Sequence, residues 1–102
     1  MFQKLMVANR GEIACRIIKT ARNLGIKTLA IYSDSDKNSA HVLLADEACY
    51  VGPSEASKSY LNIKKILEIA VVRNVDAIHP GYGFLSENHA FSKKIESKGI
   101  AF

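Results

Sequence analysis

Tryptophan is absent from the 102 residues, cysteine and proline occur twice each, and the longest apolar runs are only a few residues long. Each scarcity closes off a class of protein. A helix that spans a bilayer needs roughly 20 consecutive apolar residues, so no membrane partner is expected and the chain reads as cytoplasmic. Met1-Phe2-Gln3-Lys4 leads straight into an apolar run, without the charged, apolar and small-residue regions of a signal peptide. Cys15 and Cys49 form no CxxC pair and have no histidine at ligand spacing, which favours free buried thiols in a reducing compartment over a disulfide. His41 and His89 likewise lack a second ligand four residues on, so no metal site is expected. Long charge blocks are missing too. The net charge of +4 is spread over helix-like segments at Lys19, Lys27, Lys64, Lys65, Lys93 and Lys94, whereas a nucleic-acid face would set basic residues among exposed aromatics.

What is present is an alternation of short apolar runs with helical periodicity. A composition 48% hydrophobic and 24% charged suits one globular domain with a core. Lys4 to Ala8 has the unbroken apolar character of a strand covered on both faces. From Glu12, the residues Ile13, Ala14, Ile17, Ile18, Ala21 and Leu24 recur at helical spacing, and Gly25 supplies a left-handed cap. Thr28 to Tyr32 repeats the buried-strand pattern, followed by a polar loop from Ser33 to Ser39. A short helix at His41 to Ala45 and a third strand at Glu47 to Val51 come next. Asn62 then caps a helix to Arg73 with Ile63, Ile66, Leu67, Ala70 and Val71 inward. Val75 to Ile78 reads as a fourth strand, Ser86 to Lys98 as a helix capped by Ser86, with Phe91 and Ile95 inward and Gly99 at its end, and Ile100-Ala101-Phe102 as the start of a fifth strand. Strands alternating with helices imply an α/β fold, a Rossmann-like open parallel sheet of about five strands with helices on both faces. Stopping three apolar residues into a strand leads us to expect a domain cut from a longer polypeptide.

Two strand-to-helix turns are candidate sites, because open parallel sheets bind ligands at the carboxyl ends of their strands. Asn9-Arg10-Gly11-Glu12-Ile13-Ala14 carries one glycine where a dinucleotide fingerprint needs three. Glu12 also places negative charge where a phosphate would sit. Asp34 and Asp36 alone do not make a ribose site, and Arg10, Glu12 and Arg16 read as a surface or interdomain charge network. His79-Pro80-Gly81-Tyr82-Gly83-Phe84-Leu85-Ser86-Glu87-Asn88 is the stronger candidate. Gly81 and Gly83 would let main-chain amides approach an anion or planar ligand, and Tyr82 would offer a ring face or hydroxyl. Alternatively, the segment is a tight turn whose Tyr82 and Phe84 pack on a neighbouring domain. His79, at a strand end with no evident partner, reads as structural, and no nucleophile and base stand together.

Taken at full length, these motifs resemble the amino-terminal, pre-ATP-grasp domain of biotin carboxylase, as found in acetyl-CoA, propionyl-CoA, methylcrotonyl-CoA and pyruvate carboxylases. The resemblance runs from Leu5-Met6-Val7-Ala8-Asn9-Arg10-Gly11-Glu12 through Leu24-Gly25-Ile26, Ala45-Asp46-Glu47-Ala48 and Ser59-Tyr60-Leu61 to His79 through Asn88. It implies that residues 1–102 form the first domain of an ATP-grasp ligase, truncated before the lid and carboxy-terminal catalytic domain. MgATP and bicarbonate would there yield carboxyphosphate, whose CO2 passes to biotin on a carrier protein. The fragment would bind no cofactor tightly, hold no catalytic residue and be inactive alone. Its implied partners are the remaining carboxylase domains, a biotin carboxyl carrier, a carboxyltransferase and a second copy in a homodimer. Gly81, Tyr82, Gly83 and Phe84 would face the biotin and bicarbonate region. Arg16, Lys19 and Asn23 would lie at a dimer or interdomain contact, where bacterial subunits commonly carry an arginine and a glutamate in place of Lys19 and Asn23. A stand-alone ligand-binding or interaction module, or the first domain of another ATP-grasp ligase, are the alternative readings.

Overall fold

A computed structural model describes residues 2–102. Four strands, β1 (Lys4–Val7), β2 (Lys27–Ser33), β3 (Glu47–Gly52) and β4 (Ala77–His79), form one sheet in the order β3-β2-β1-β4. Every pairing is parallel. Four helices connect or follow them: α1 (Gly11–Asn23), α2 (Ala40–Leu44), α3 (Ile63–Val72) and α4 (His89–Ser97). The expected fifth strand is present as an isolated parallel bridge between Ala101 and Ala77.

Side chains of successive strand residues point to opposite faces, and β1 divides accordingly. Val7 packs with Ala14 and Ile18 of α1, joined by Leu5, Ile17, Leu44 and Ala45. Met6 and Ala8 join the larger cluster on the other face, with Ile66, Ile69 and Ala70 of α3 and Phe91 and Ile95 of α4. Helices thus cover both faces, as the unbroken apolar run of β1 requires. Replacing the fully buried Met6 by alanine would remove about 2–5 kcal/mol.

Local chemistry sets the helix boundaries. The Asn62 side chain accepts the Lys65 amide and caps α3, while Gly25 and Gly99 adopt left-handed backbone just past α1 and α4. Two residues expected to face inward do not. In α3 the buried arc is Ile66, Ile69 and Ala70, and Val71 is 47% exposed; Leu24, just past the end of α1, is exposed, while Ala14, Ile18 and Ala21 are buried as expected. The last helix starts later than expected. Residues 84–87 form a turn in which the Ser86 amide donates to Gly83 O, and Asn88, not Ser86, caps α4 by accepting the Phe91 amide at 2.9 Å. Both cysteines are unpaired, and they are half-buried.

At the amino end of the sheet, Glu47 joins Lys4 and Arg73 at 2.8 Å each, and Asp76 accepts the Gln3 and Lys4 amides. These contacts tie β3, β1 and the approach to β4 together, far from the carboxyl edge. Gly52 ends β3 at φ 145°, where a Cβ would collide with the carbonyl oxygen of Lys58. Gly52→Ala should therefore lose about 2–4 kcal/mol of folding free energy. Gly99→Ala, with open space around it, should lose only the left-handed strain of about 1–2 kcal/mol. Denaturant unfolding of the two variants checks this, and equal losses would contradict the collision.

Candidate functional site

The chain leaves β1 toward β2 on one side of the sheet and returns as β4 on the other. The loops after β1 and β4 therefore meet at the carboxyl ends of adjacent strands, the topological switch point at which open α/β sheets hold ligands. The two turns, separate in sequence, are one structure here.

Asn9, 3% exposed, directs its side chain into the loop that follows β4. Its Nδ2 donates to Pro80 O at 2.9 Å and Tyr82 O at 2.7 Å, and its Oδ1 accepts the Arg10 amide at 2.8 Å. Gly81, at φ 68°, lies so close that a Cβ would stand 2.8 Å from Asn9 Nδ2 and 3.0 Å from Ile13 Cγ2. The glycine is needed there for both backbone angle and space. Phe84 also has positive φ, 42°, a conformation uncommon for a bulky residue. Its ring stacks on Tyr60, with centroids 5.2 Å apart and planes inclined 27°.

Tyr60 leads to a buried charge. Asp36, 3% exposed, receives Arg10 Nε at 2.5 Å and Nη2 at 2.7 Å, a bidentate pair, and the Tyr60 hydroxyl at 2.6 Å. Ser33 Oγ lies 3.4 Å from the same carboxylate. The Arg10 hydrogen bonds hold the Asp36 carboxyl well below the usual carboxylate range, against the opposing effect of burial; the Tyr60 hydrogen bond adds to the lowering. Tyr60 is pushed up to about 12, first by burial and then by its bond to Asp36, so its hydroxyl stays a donor at neutral pH.

The other expected site residues fall on two surfaces. Tyr82 is 80% exposed, and the space around the Gly83 Cα is open. Arg16, on the outer side of α1, lines a groove of about 440 Å³ together with Ile13, Ile17, His79, Gly81 and Tyr82. Phe84 borders a separate cavity of about 270 Å³ with Arg10, Asp36 and Tyr60. Lys19 and Asn23 are exposed on α1 but line neither cavity. Arg10 is committed to Asp36 and makes no pair with Glu12 or Arg16 among the described residues. His79 is exposed, and its Nδ1 accepts the Gly81 amide at 3.1 Å. The buried histidine is His41, whose Nε2 bonds Ile31 O at 3.0 Å.

Asn9, Asp36 and Tyr60 thus support the candidate loop, a role their sequence positions did not reveal. The position of Asn9 at the end of β1, before a helix, was visible; its partner 73 residues away was not.

The chain is an open parallel α/β domain whose switch-point crevice lies between the carboxyl ends of β1 and β4. The family model for the biotin carboxylase N-terminal domain matches residues 1–102, and the chain belongs to that family. It is 54% identical over 102 residues to the propionyl-CoA carboxylase alpha chain of Ruegeria pomeroyi, covering all of this chain and 15% of that one. Against the biotin carboxylase of Haemophilus influenzae it is 53% identical over 102 residues, all of this chain and 23% of the relative. A biotin carboxylase domain of Hydrogenobacter thermophilus 2-oxoglutarate carboxylase, solved as a dimer with MgADP, ADP and bicarbonate, superposes with a TM-score of 0.93. Sequence identity there is 49%, over 98% of this chain and 22% of that one. The chain therefore spans less than a quarter of the length of these relatives.

The buried charge cluster yields a pH prediction. A carboxyl whose folded pKa is depressed contributes stability that is complete above its unfolded value, about 4, and lost as pH falls through the folded value. Asp36→Asn should lose stability at neutral pH and flatten the decline below about pH 4. Urea unfolding at a series of pH values measures both, and a parallel acid decline in the two proteins would contradict the assignment.

Proposed function

We propose that this chain is the first domain of a biotin carboxylase, a ligase that uses MgATP and bicarbonate to carboxylate biotin on a carrier protein, and that it contributes a wall of the substrate cleft. The observation that carries the proposal is the Gly81–Phe84 loop, presented at the switch-point edge within a chain of this family. The partners would be the remaining carboxylase domains, the biotin carrier and a carboxyltransferase.

The residues of this chain do not fit the magnesium of MgATP. Among the described residues no group of three or more His, Cys, Asp or Glu side chains could hold a metal. The acids with depressed pKa are already engaged: Asp36 with Arg10, Glu47 with Lys4, and Asp76 with the Lys4 and Gln3 amides. We assign no step of nucleotide chemistry to them.

The loop suits a planar, weakly polar ring. Tyr82 offers an exposed aromatic face, Gly83 leaves its backbone open, and Gly81 presents the chain close to the groove beside α1. Bound biotin supplies the ring nitrogen that accepts the carboxyl group. This chain's part is to orient that ring by packing and backbone approach, and to help exclude water from a labile intermediate. Phe84 does not face the ligand in this reading; it anchors the loop on Tyr60.

Arg16, Lys19 and Asn23 on α1 fit a contact with a second copy or a neighbouring domain. Asn23 brings no charge to such a contact, which leaves Arg16 and Lys19 to attract acids on the facing surface. Among the described residues no helix is long and apolar enough to cross a membrane. We place the enzyme in the cytoplasm, where unpaired thiols persist.

Two outcomes follow for turnover. The purified 102-residue chain should show no bicarbonate-dependent ATP cleavage, whereas a polypeptide extended by about 350 residues, several domains in length, should regain it. Steady bicarbonate-dependent turnover by the short chain, or none by the extended protein, would contradict the proposal. In the extended protein Tyr82→Ala should raise KM for biotin about tenfold, the scale of one lost aromatic contact, with KM for ATP little changed. An unaltered response to biotin would remove Tyr82 from the site.

A further inference from the structure

We infer that Asn9 is a positioning residue for the substrate loop: its side-chain amide fixes the backbone of Pro80 to Tyr82 in the shape that presents Tyr82 and Gly83. The inference rests on the proposed role of that loop in binding biotin.

The loop has little of its own to hold it. Gly81, Gly83 and Phe84 all have positive φ, at 68°, 70° and 42°, so three of four consecutive residues occupy left-handed backbone, which is costly for Phe84 and entropically expensive for the glycines. Such a path persists only where surrounding contacts determine it. Local hydrogen bonds are few: the Gly81 amide donates to His79 Nδ1, and the Ser86 amide to Gly83 O. The carbonyls of Pro80 and Tyr82 both accept from Asn9 Nδ2. One amide nitrogen has two protons to donate, and both are used on carbonyls that flank Gly81. Oδ1, accepting the Arg10 amide, fixes which way the amide group faces.

The next residue braces the far end of the loop. Arg10 holds Asp36, Asp36 holds Tyr60, and Tyr60 stacks on Phe84. Consecutive residues at the end of β1 therefore secure Pro80 and Tyr82 on one side and Phe84 on the other, leaving Tyr82 and Gly83 projecting between. Only asparagine or glutamine side chains combine two donors with an acceptor in this way, and the longer glutamine would not fit the 2.7 to 2.9 Å reach without displacing the loop. Aspartate at position 9 would set a carboxylate against two carbonyl oxygens.

The test uses the intact carboxylase polypeptide that contains this domain, as wild type, Asn9→Asp and Asn9→Ser, with Gly81→Ala as a disturbance of the same contact from the loop side. Hydrogen–deuterium exchange without substrate should show the amides of residues 81 and 86 exchanging at least about tenfold faster in each variant, while the amides of β2 stay protected as in wild type. Steady-state kinetics with free biotin should show the loss in KM for biotin, about 10- to 100-fold, the scale of a misplaced binding group, and not in KM for ATP. Unchanged exchange in the loop, or exchange raised uniformly across the sheet, would overturn the inference, as would parallel changes in both KM values. A wild-type protein that does not use biotin would contradict the functional reading alone, because the exchange result is obtained without substrate.

Discussion

The carboxyl end of β1 is the point on which the site depends. Because β1 pairs in parallel with β2 on one side and β4 on the other, the residues that follow it, Asn9 and Arg10, lie between the two halves of the sheet. A parallel arrangement places all strand ends of one kind on one edge, and the reversal of strand order at β1 opens a crevice there. Asn9 reaches across that crevice to the loop after β4. Arg10 turns the other way, to Asp36 beyond the end of β2. Two adjacent residues thereby couple loops that are distant in sequence.

The coupling depends on a buried carboxylate. Desolvating Asp36 is costly, and a bidentate arginine and a phenol donor are the main groups that offset it, with the Ser33 and Ser39 hydroxyls at 3.4 Å. Removing any one of these partners would leave the others with unmet hydrogen-bonding demand. Such an arrangement is better suited to fixing a geometry than to adding stability, since an apolar replacement of the whole cluster could be equally stable. What it fixes is Tyr60, and with it the ring of Phe84. That is also why Asp36 is unsuited to bind a ribose or a metal despite lying at a ligand edge: its acceptor capacity is already spent.

Much of the fold was legible in the chain. Apolar runs at Lys4 to Ala8 and Thr28 to Tyr32, separated by a helix-period segment, led directly to adjacent parallel strands, and the glycine loop after the fourth run lies at the expected edge. Ser86 and Asn88 are both competent caps, and the turn around left-handed Phe84 delays the start of α4 by two residues relative to a Ser86 cap. α3 is apolar over a wide arc, and packing with α4 and β3, not periodicity, decides that Val71 faces outward. The contacts that support the loop were not legible. Asn9 to Tyr82 spans 73 residues and Tyr60 to Asp36 spans 24, and pairings at such separations are created by the sheet order, which periodicity does not contain.

The proposed role of the loop, with Tyr82 and Gly83 as part of a biotin-binding wall and Phe84 as its anchor, can be tested on the intact protein. The most direct measurement is photocrosslinking of the intact carboxylase with a photoreactive biotin analogue, in the presence of MgATP and bicarbonate, followed by mass-spectrometric mapping. Label is expected on the peptide containing Gly81 to Phe84, suppressed by excess free biotin. Efficient, biotin-suppressible labelling confined to other domains, with none on this peptide, would contradict that role.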